Sequence, residues 1–118
     1  MNEEMFAYAD EIELGLQLRR ANLNAYVEPS VLVRHTGRGP RFGAVEGYLT
    51  QRNRWYLVRH HGTLPQRVVN FTLTLCVELP LKAIVRTLQG RGRYARACAM
   101  GFFDGVCGVT GVGRAGRL

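Results

Sequence analysis

Pro-Gln-Arg-Val-Val-Asn-Phe-Thr-Leu-Thr-Leu-Cys-Val-Glu-Leu-Pro-Leu-Lys-Ala-Ile-Val-Arg-Thr-Leu, residues 65–88, reads as one long apolar helix, bent at Pro80, where the ring removes a backbone donor and crowds the preceding turn. Between Val68 and Val85 the stretch carries Asn70, Glu78, Pro80 and Lys82. A bilayer span wants about 20 mostly apolar residues, so these polar positions favour a buried or interfacial helix over a membrane span. Helical spacing continues on both sides. Residues 44–60 bring Val45, Leu49, Arg52, Tyr56 and Arg59 near one another on a helix surface, with Tyr48 and Trp55 beside Arg52, and Gly62 ends the run. Residues 93–107 read as a last helix, and Gly108 to Leu118 as a frayed basic tail.

Toward the N-terminus the pattern changes. Residues 10–21 read as a helix, with Ile12 and Leu16, and Leu14 and Leu18, each four apart. Acids fill its first turn and Arg19 and Arg20 its last, as the helix macrodipole favours, and Asn22 suits a left-handed stop. Residues 24–28 and 31–35 read as two short extended segments around Glu28-Pro29-Ser30, and the β-branched Val31 and Val33 give a short β-pair. A basic Gly/Pro/Arg loop runs from Thr36 to Gly43.

At 118 residues the chain suits one small domain and is too short for a two-domain enzyme or an α/β barrel. The 47% hydrophobic and 21% charged composition is that of a globular protein. The net charge of +7 is divided unevenly. Residues 1–36 carry six acids against three Arg, while residues 37–118 carry 13 basic side chains against Glu46, Glu78 and Asp104. The basic part suits phosphates, anionic lipid or nucleic acid. Cys76, Cys98 and Cys107 form no C-x-x-C, and the odd number argues for a reducing compartment. The acidic first residues are neither a secretory signal nor a transit peptide.

Three groups could carry chemistry. Asp10, Glu11 and Glu13 cluster in one helical turn; such carboxylates bind a hard cation or take a proton from a hydroxyl, or simply form a solvated first turn. His35 ends the second extended segment, where a metal ligand, a general base or an ordinary hydrogen-bonded side chain would each fit. Tyr48, Arg52, Asn53, Arg54, Trp55, Tyr56 and Arg59 offer guanidinium forks and aromatic faces for a phosphorylated ligand, or the core and rim of an amphipathic helix. His60 and His61 read as surface. Gly37 to Arg41 lacks phosphate-loop spacing, and no zinc-finger, RRM or helix-turn-helix pattern supports nucleic acid as a partner.

Taken in order, Phe6-Ala7-Tyr8-Ala9-Asp10-Glu11-Ile12-Glu13-Leu14, Tyr26-Val27-Glu28-Pro29, Val33-Arg34-His35, Tyr48-Leu49-Thr50-Gln51-Arg52-Asn53 and Gly101-Phe102-Phe103-Asp104-Gly105 resemble the C-terminal part of family 2 glycosyltransferases, especially rhamnosyltransferase-like members. The resemblance implies an α/β ancestry of the glycosyltransferase A type, mostly helical in this piece, with residues 1–61 as the acceptor-side part of a catalytic domain. Residues 62–118 would be a helical, membrane-associating extension. It implies Glu11 and Asp10 as the catalytic carboxylates, His35 as a ligand of a divalent metal (Mn²⁺ or Mg²⁺), and Glu13, Tyr48, Arg52 and Asn53 near the substrates. Those substrates would be a nucleotide-diphosphate sugar and a glycan or lipid-linked acceptor, met at the anionic inner face of the cell membrane from the cytoplasm. The order Asp-Glu replaces the family's Glu-Asp, Glu13 stands where the family has Asp, Gln17 replaces an Arg, and no Asp-x-Asp occurs in the chain. The chain is therefore expected to be a truncated or split piece, inactive alone, needing a separate N-terminal half or self-associating through its unpaired strands. The competing expectation is a small Arg-rich module that binds anionic membrane or nucleic acid without catalysis.

Overall fold

The computed structural model describes residues 3–32 and 43–118, and its regular elements are helices. A 3₁₀ turn at Glu3–Met5 precedes α1 (Asp10–Arg20). Helix α2 (Ala44–His61) is followed closely by α3 (Leu64–Leu73), a π turn (Thr74–Glu78) and α4 (Leu79–Leu88). Helix α5 (Gly92–Val106) and a closing 3₁₀ turn at Ala115–Arg117 complete the chain.

Helices α2 and α5 make the main packing contact and run parallel. Close approaches pair Gly47 with Cys98, Gly101 with Tyr48, Gly105 with Arg52 and Trp55, and Gly108 with Arg59. The α3–α4 segment returns antiparallel to both, which gives a three-helix arrangement. Small residues set its geometry. Ala97, Gly101 and Gly105 recur every fourth residue on α5, and a Cβ at Gly101 would lie 2.8 Å from the carbonyl carbon and 2.9 Å from the Cα of Tyr48. Without side chains there, the two backbones come into contact. Tyr48, Leu49, Ala97 and Ala115 form the buried apolar cluster. Trp55, Phe71 and Phe102 pack at ring-centroid distances of 5.5–6.1 Å and join α2, α3 and α5.

The long helix meets Pro80 with a local change of hydrogen bonding. Pro80 falls in the first turn of α4, just after the π turn, and the Leu79 N–H reaches back five residues to the Thr74 carbonyl. The widened turn makes room for the proline ring, as π turns do within longer helices.

The α/β expectation is contradicted. No strand occurs among the described residues, which form a small helical bundle. The proposed β-pair fails at its turn. Ser30 donates from its backbone N–H and its hydroxyl to Glu28 Oε1 at 3.1 and 2.5 Å, and the Val31 N–H bonds the Glu28 carbonyl. These bonds close a local turn around Pro29. Tyr26, Val27 and Leu32 are almost fully exposed. A β-branched segment gains little from extension when no sheet face buries it. The part of the pair from Val33 to His35 lies outside the described residues.

Helix α1 does end as the sequence indicates. Asn22 adopts a left-handed φ of 55°, and the Leu23 N–H bonds the Leu18 carbonyl at 2.9 Å. The tail from Gly108 is tied down instead of frayed. The Gly111 N–H donates to the Glu4 carbonyl at 2.6 Å, the Arg114 N–H to the Tyr48 hydroxyl at 3.0 Å, and Ala115 is buried.

Candidate functional site

Three sequence motifs far apart in the chain meet where α2 crosses α5. Arg52 and Asn53, both buried, face the N-terminal segment. Asn53 Nδ2 donates to the carbonyls of Met5, Ala7 and Tyr8 at 3.0, 2.6 and 2.9 Å. Arg52 donates to the Met5 carbonyl at 2.8 Å, to the Gly111 carbonyl, and through Nε and Nη2 to Asn53 Oδ1 at 3.0 and 2.8 Å. Its guanidinium carbon stands 5.7 Å from the centre of the Tyr48 ring. A guanidinium has several donors and no acceptor, so carbonyls can satisfy it in the interior without a carboxylate. The one side chain thus clamps the N-terminal segment and the tail onto α2.

Tyr48 holds the tail from the other side. Its hydroxyl donates to Asp104 Oδ2 at 2.8 Å and accepts the Arg114 N–H, while Arg114 Nε lies 3.2 Å from the same carboxylate. Burial pushes the Tyr48 hydroxyl above the usual phenol range; the Arg114 N–H opposes this and the Asp104 carboxylate adds to it. Gly113 passes directly over this pair. Its φ is +53°, and a Cβ there would strike the Tyr48 hydroxyl and lie 3.0 Å from Arg52 Nη1.

The segment that Asn53 grips is strained. Phe6, Tyr8 and Ala9 have φ values of 63°, 68° and 63°, although none is glycine. Left-handed conformations cost such residues roughly 1–2 kcal/mol each and persist only where the surroundings over-determine them. Here three carbonyls converging on one amide supply the restraint. The strained strap ends at Ala9, and Asp10 and Glu11 follow as the first residues of α1. Asp10 is partly exposed and Glu11 is exposed.

Glu13 points the other way, into the protein. It accepts Gln17 Nε2 at 2.8 Å and lies 2.5 Å from His61 Nε2. The side chain of His61 is only 9% exposed and its Nδ1 is buried without a partner, so the surface reading of His61 is corrected. His60 is exposed and stacks on Tyr56 at 4.2 Å. With Arg20 donating to the His60 carbonyl at 3.0 Å, the Glu13–His61 pair docks α1 on the end of α2.

The structure thus brings Tyr48, Arg52, Asn53 and Asp104 together and hangs Asp10 and Glu11 from them by a short strap. His61, Gly111 and Gly113 belong to the same framework but escape sequence reasoning. A buried histidine at a helix end has no periodic signature, and only the Gly-x-Gly spacing of the tail hints at a close approach. His35 lies outside the described residues. Among the described residues no three His, Cys, Asp or Glu side chains converge, so these alone do not compose a cation site. Comparison with protein-family models, curated proteins and solved structures found no match.

Proposed function

We propose that this chain supplies the acceptor side of an inverting glycosyltransferase, which passes a sugar from a nucleotide-diphosphate donor to a glycan or lipid-linked acceptor. The observation that carries this reading is the strap of three left-handed residues, pinned by Asn53 and Arg52, that delivers Asp10 and Glu11 to the surface at the start of α1. Strain held in place immediately before two adjacent carboxylates is an arrangement that fixes a base. In the reaction the acceptor oxygen bonds to the anomeric carbon as the bond to the diphosphate breaks. The acceptor proton goes to Glu11, beside Asp10, and the diphosphate leaves with the bonding electrons.

Exposed apolar side chains support the further proposal that the donor is held by a separate polypeptide segment. Ile12, Leu14, Leu23, Tyr26, Val27 and Leu32 are all about half exposed or more. A second segment seated on them would cover this surface and bring the nucleotide toward Glu11. The test is coexpression of the chain with the polypeptide encoded beside it, followed by transfer of labelled sugar from a panel of nucleotide-diphosphate sugars into lipid and glycan fractions. The expected result is transfer that needs both chains and falls about 100-fold or more in Glu11→Gln. Transfer indifferent to both Glu11→Gln and Asp10→Asn, or no donor consumed by the pair, overturns the reading.

A further inference from the structure

Arginine side chains are used throughout the fold. Arg52 holds backbone carbonyls, Arg54 pairs with Glu78 and Arg114 with Asp104. Arg20 and Arg67 donate to the carbonyls of His60 and Gly62, and Arg86 donates to Gln89. Arg93, Arg96 and Arg117 differ. Among the described residues their guanidinium groups form no ion pair and no hydrogen bond. All three line one cleft.

The cleft is built by three elements. Helices α2 and α5 run parallel and begin at the same end, where Gly47 meets Tyr94 and Cys98. Arg93 and Arg96 are three residues apart near the start of α5 and so share a side of the helix. Arg117 enters from the closing 3₁₀ turn, which the buried Ala115 ties to Tyr48, Leu49 and Ala97. Ala44, the first residue of α2, and Met100 pack against the same apolar cluster and form the floor. The cleft has a volume of about 250 Å³, and no acidic side chain lines it. Glu46, in the first turn of α2, acts instead on Tyr94, on the side of α5 that meets Gly47.

Three guanidinium groups gathered without a counter-charge repel one another, and the positive poles of two helices add to the same field. The packing beneath is carried by Tyr48, Leu49, Ala97 and Ala115, not by these groups. An oxyanion answers all three. A guanidinium presents its N–H donors in a rigid fork that fits phosphate oxygens. A phosphate monoester carries about two negative charges at neutral pH and offers a terminal oxygen to each fork. A diester has less charge and fewer free oxygens, and a nucleic-acid strand is met by a row of basic groups along its backbone, not by a cleft for one phosphate.

We infer that this cleft binds the phosphate group of a small phosphomonoester, shared among Arg93, Arg96 and Arg117, with the organic part resting on Ala44 and Met100. Neither Asp10 nor Glu11 lines the cleft, and the inference does not rest on sugar transfer.

The test is an NMR titration of the full, isotope-labelled chain with phenyl phosphate, the ionic strength held constant with sodium chloride. The expected result is a saturable shift of the Nε–H signals of Arg93, Arg96 and Arg117 and of the Ala44 and Met100 methyl signals. Arg96→Gln should weaken binding at least about tenfold, whereas Arg19→Gln, at an exposed position outside the cleft, should leave it unchanged. Both positions are exposed, so circular dichroism should show both variants folded. Shifts spread equally over Arg19, Arg59 and the cleft would mean ionic adsorption and overturn the inference. Equal affinity for dimethyl phosphate, or tighter binding of a short oligonucleotide, overturns it in favour of a nucleic-acid backbone. So does the absence of saturable shifts with phenyl phosphate, whether or not vesicles containing phosphatidic acid bind.

Discussion

Gly101→Ala tests the crossing on which the candidate site is built. The added methyl carbon would sit 2.8 Å from the Tyr48 carbonyl carbon and closer still to its oxygen, where ordinary contact begins near 3.4 Å. Backbone cannot swing aside as a side chain can, so α5 must retreat from α2 by about 1 Å. Dispersion falls by a quarter to a half over gaps of about that size, and overpacking of this kind costs about 3 kcal/mol. Alanine's helix propensity returns about 1 kcal/mol. The net loss of about 2 kcal/mol corresponds to a melting temperature about 8 °C lower for a chain of this length. Gly15→Ala is the control. It has the same chemistry in α1, but no atom lies within 4 Å of the added carbon. Followed by far-ultraviolet circular dichroism, Gly15→Ala should melt no lower than the parent chain, and Gly101→Ala well below it. Equal melting of the two variants would refute the claim that backbone contact at Gly101 sets the helix crossing.

Asn53→Leu leaves the carbonyls of Ala7 and Tyr8 without their donor and takes from Arg52 one of its three acceptors, a loss of about 2–4 kcal/mol. Denaturant unfolding should show the loss, and limited proteolysis should cut the chain near residues 6–9. Burial pushes the Tyr94 hydroxyl up to about 12, helped by Cys98 and Glu46, while a tyrosine in the unfolded chain ionises near 10. The fold therefore keeps a proton that the unfolded chain gives up, so stability falls as pH rises from about 10 to about 12; alkaline titration of phenolate absorbance alongside melting checks this. Cys98 is buried, and burial pushes its thiol up, whereas Cys76 and Cys107 are exposed. A thiol reagent near neutral pH should find two fast cysteines and one slow one.

By itself the sequence determined the helices. The spacing of Ile12, Leu16, Val45 and Leu49, the acids at the start of α1 and the glycines after α2 and α4 are local signals. Backbone hydrogen bonding within a helix is local too, so element positions follow from them. The motif Tyr48-x-x-x-Arg52-Asn53 was also visible as a cluster on one turn. Its use was not, because its partners are backbone carbonyls at Met5, Ala7, Tyr8 and Gly111, which carry no side-chain signature.

Only the tertiary structure decided the rest. Strand-forming residues at 26–32 stayed irregular because pairing is a non-local contact, and among the described residues no sheet receives them. The tail became ordered because Tyr48, Asp104 and Glu4 reach it from three other segments. The apolar run over 65–88 announced a long helix, buried or interfacial, but not which side it would turn inward. That choice fell to Glu78, whose carboxylate gains Lys82, Arg54 and Gln51 by facing the bundle, and it left the aliphatic side outward.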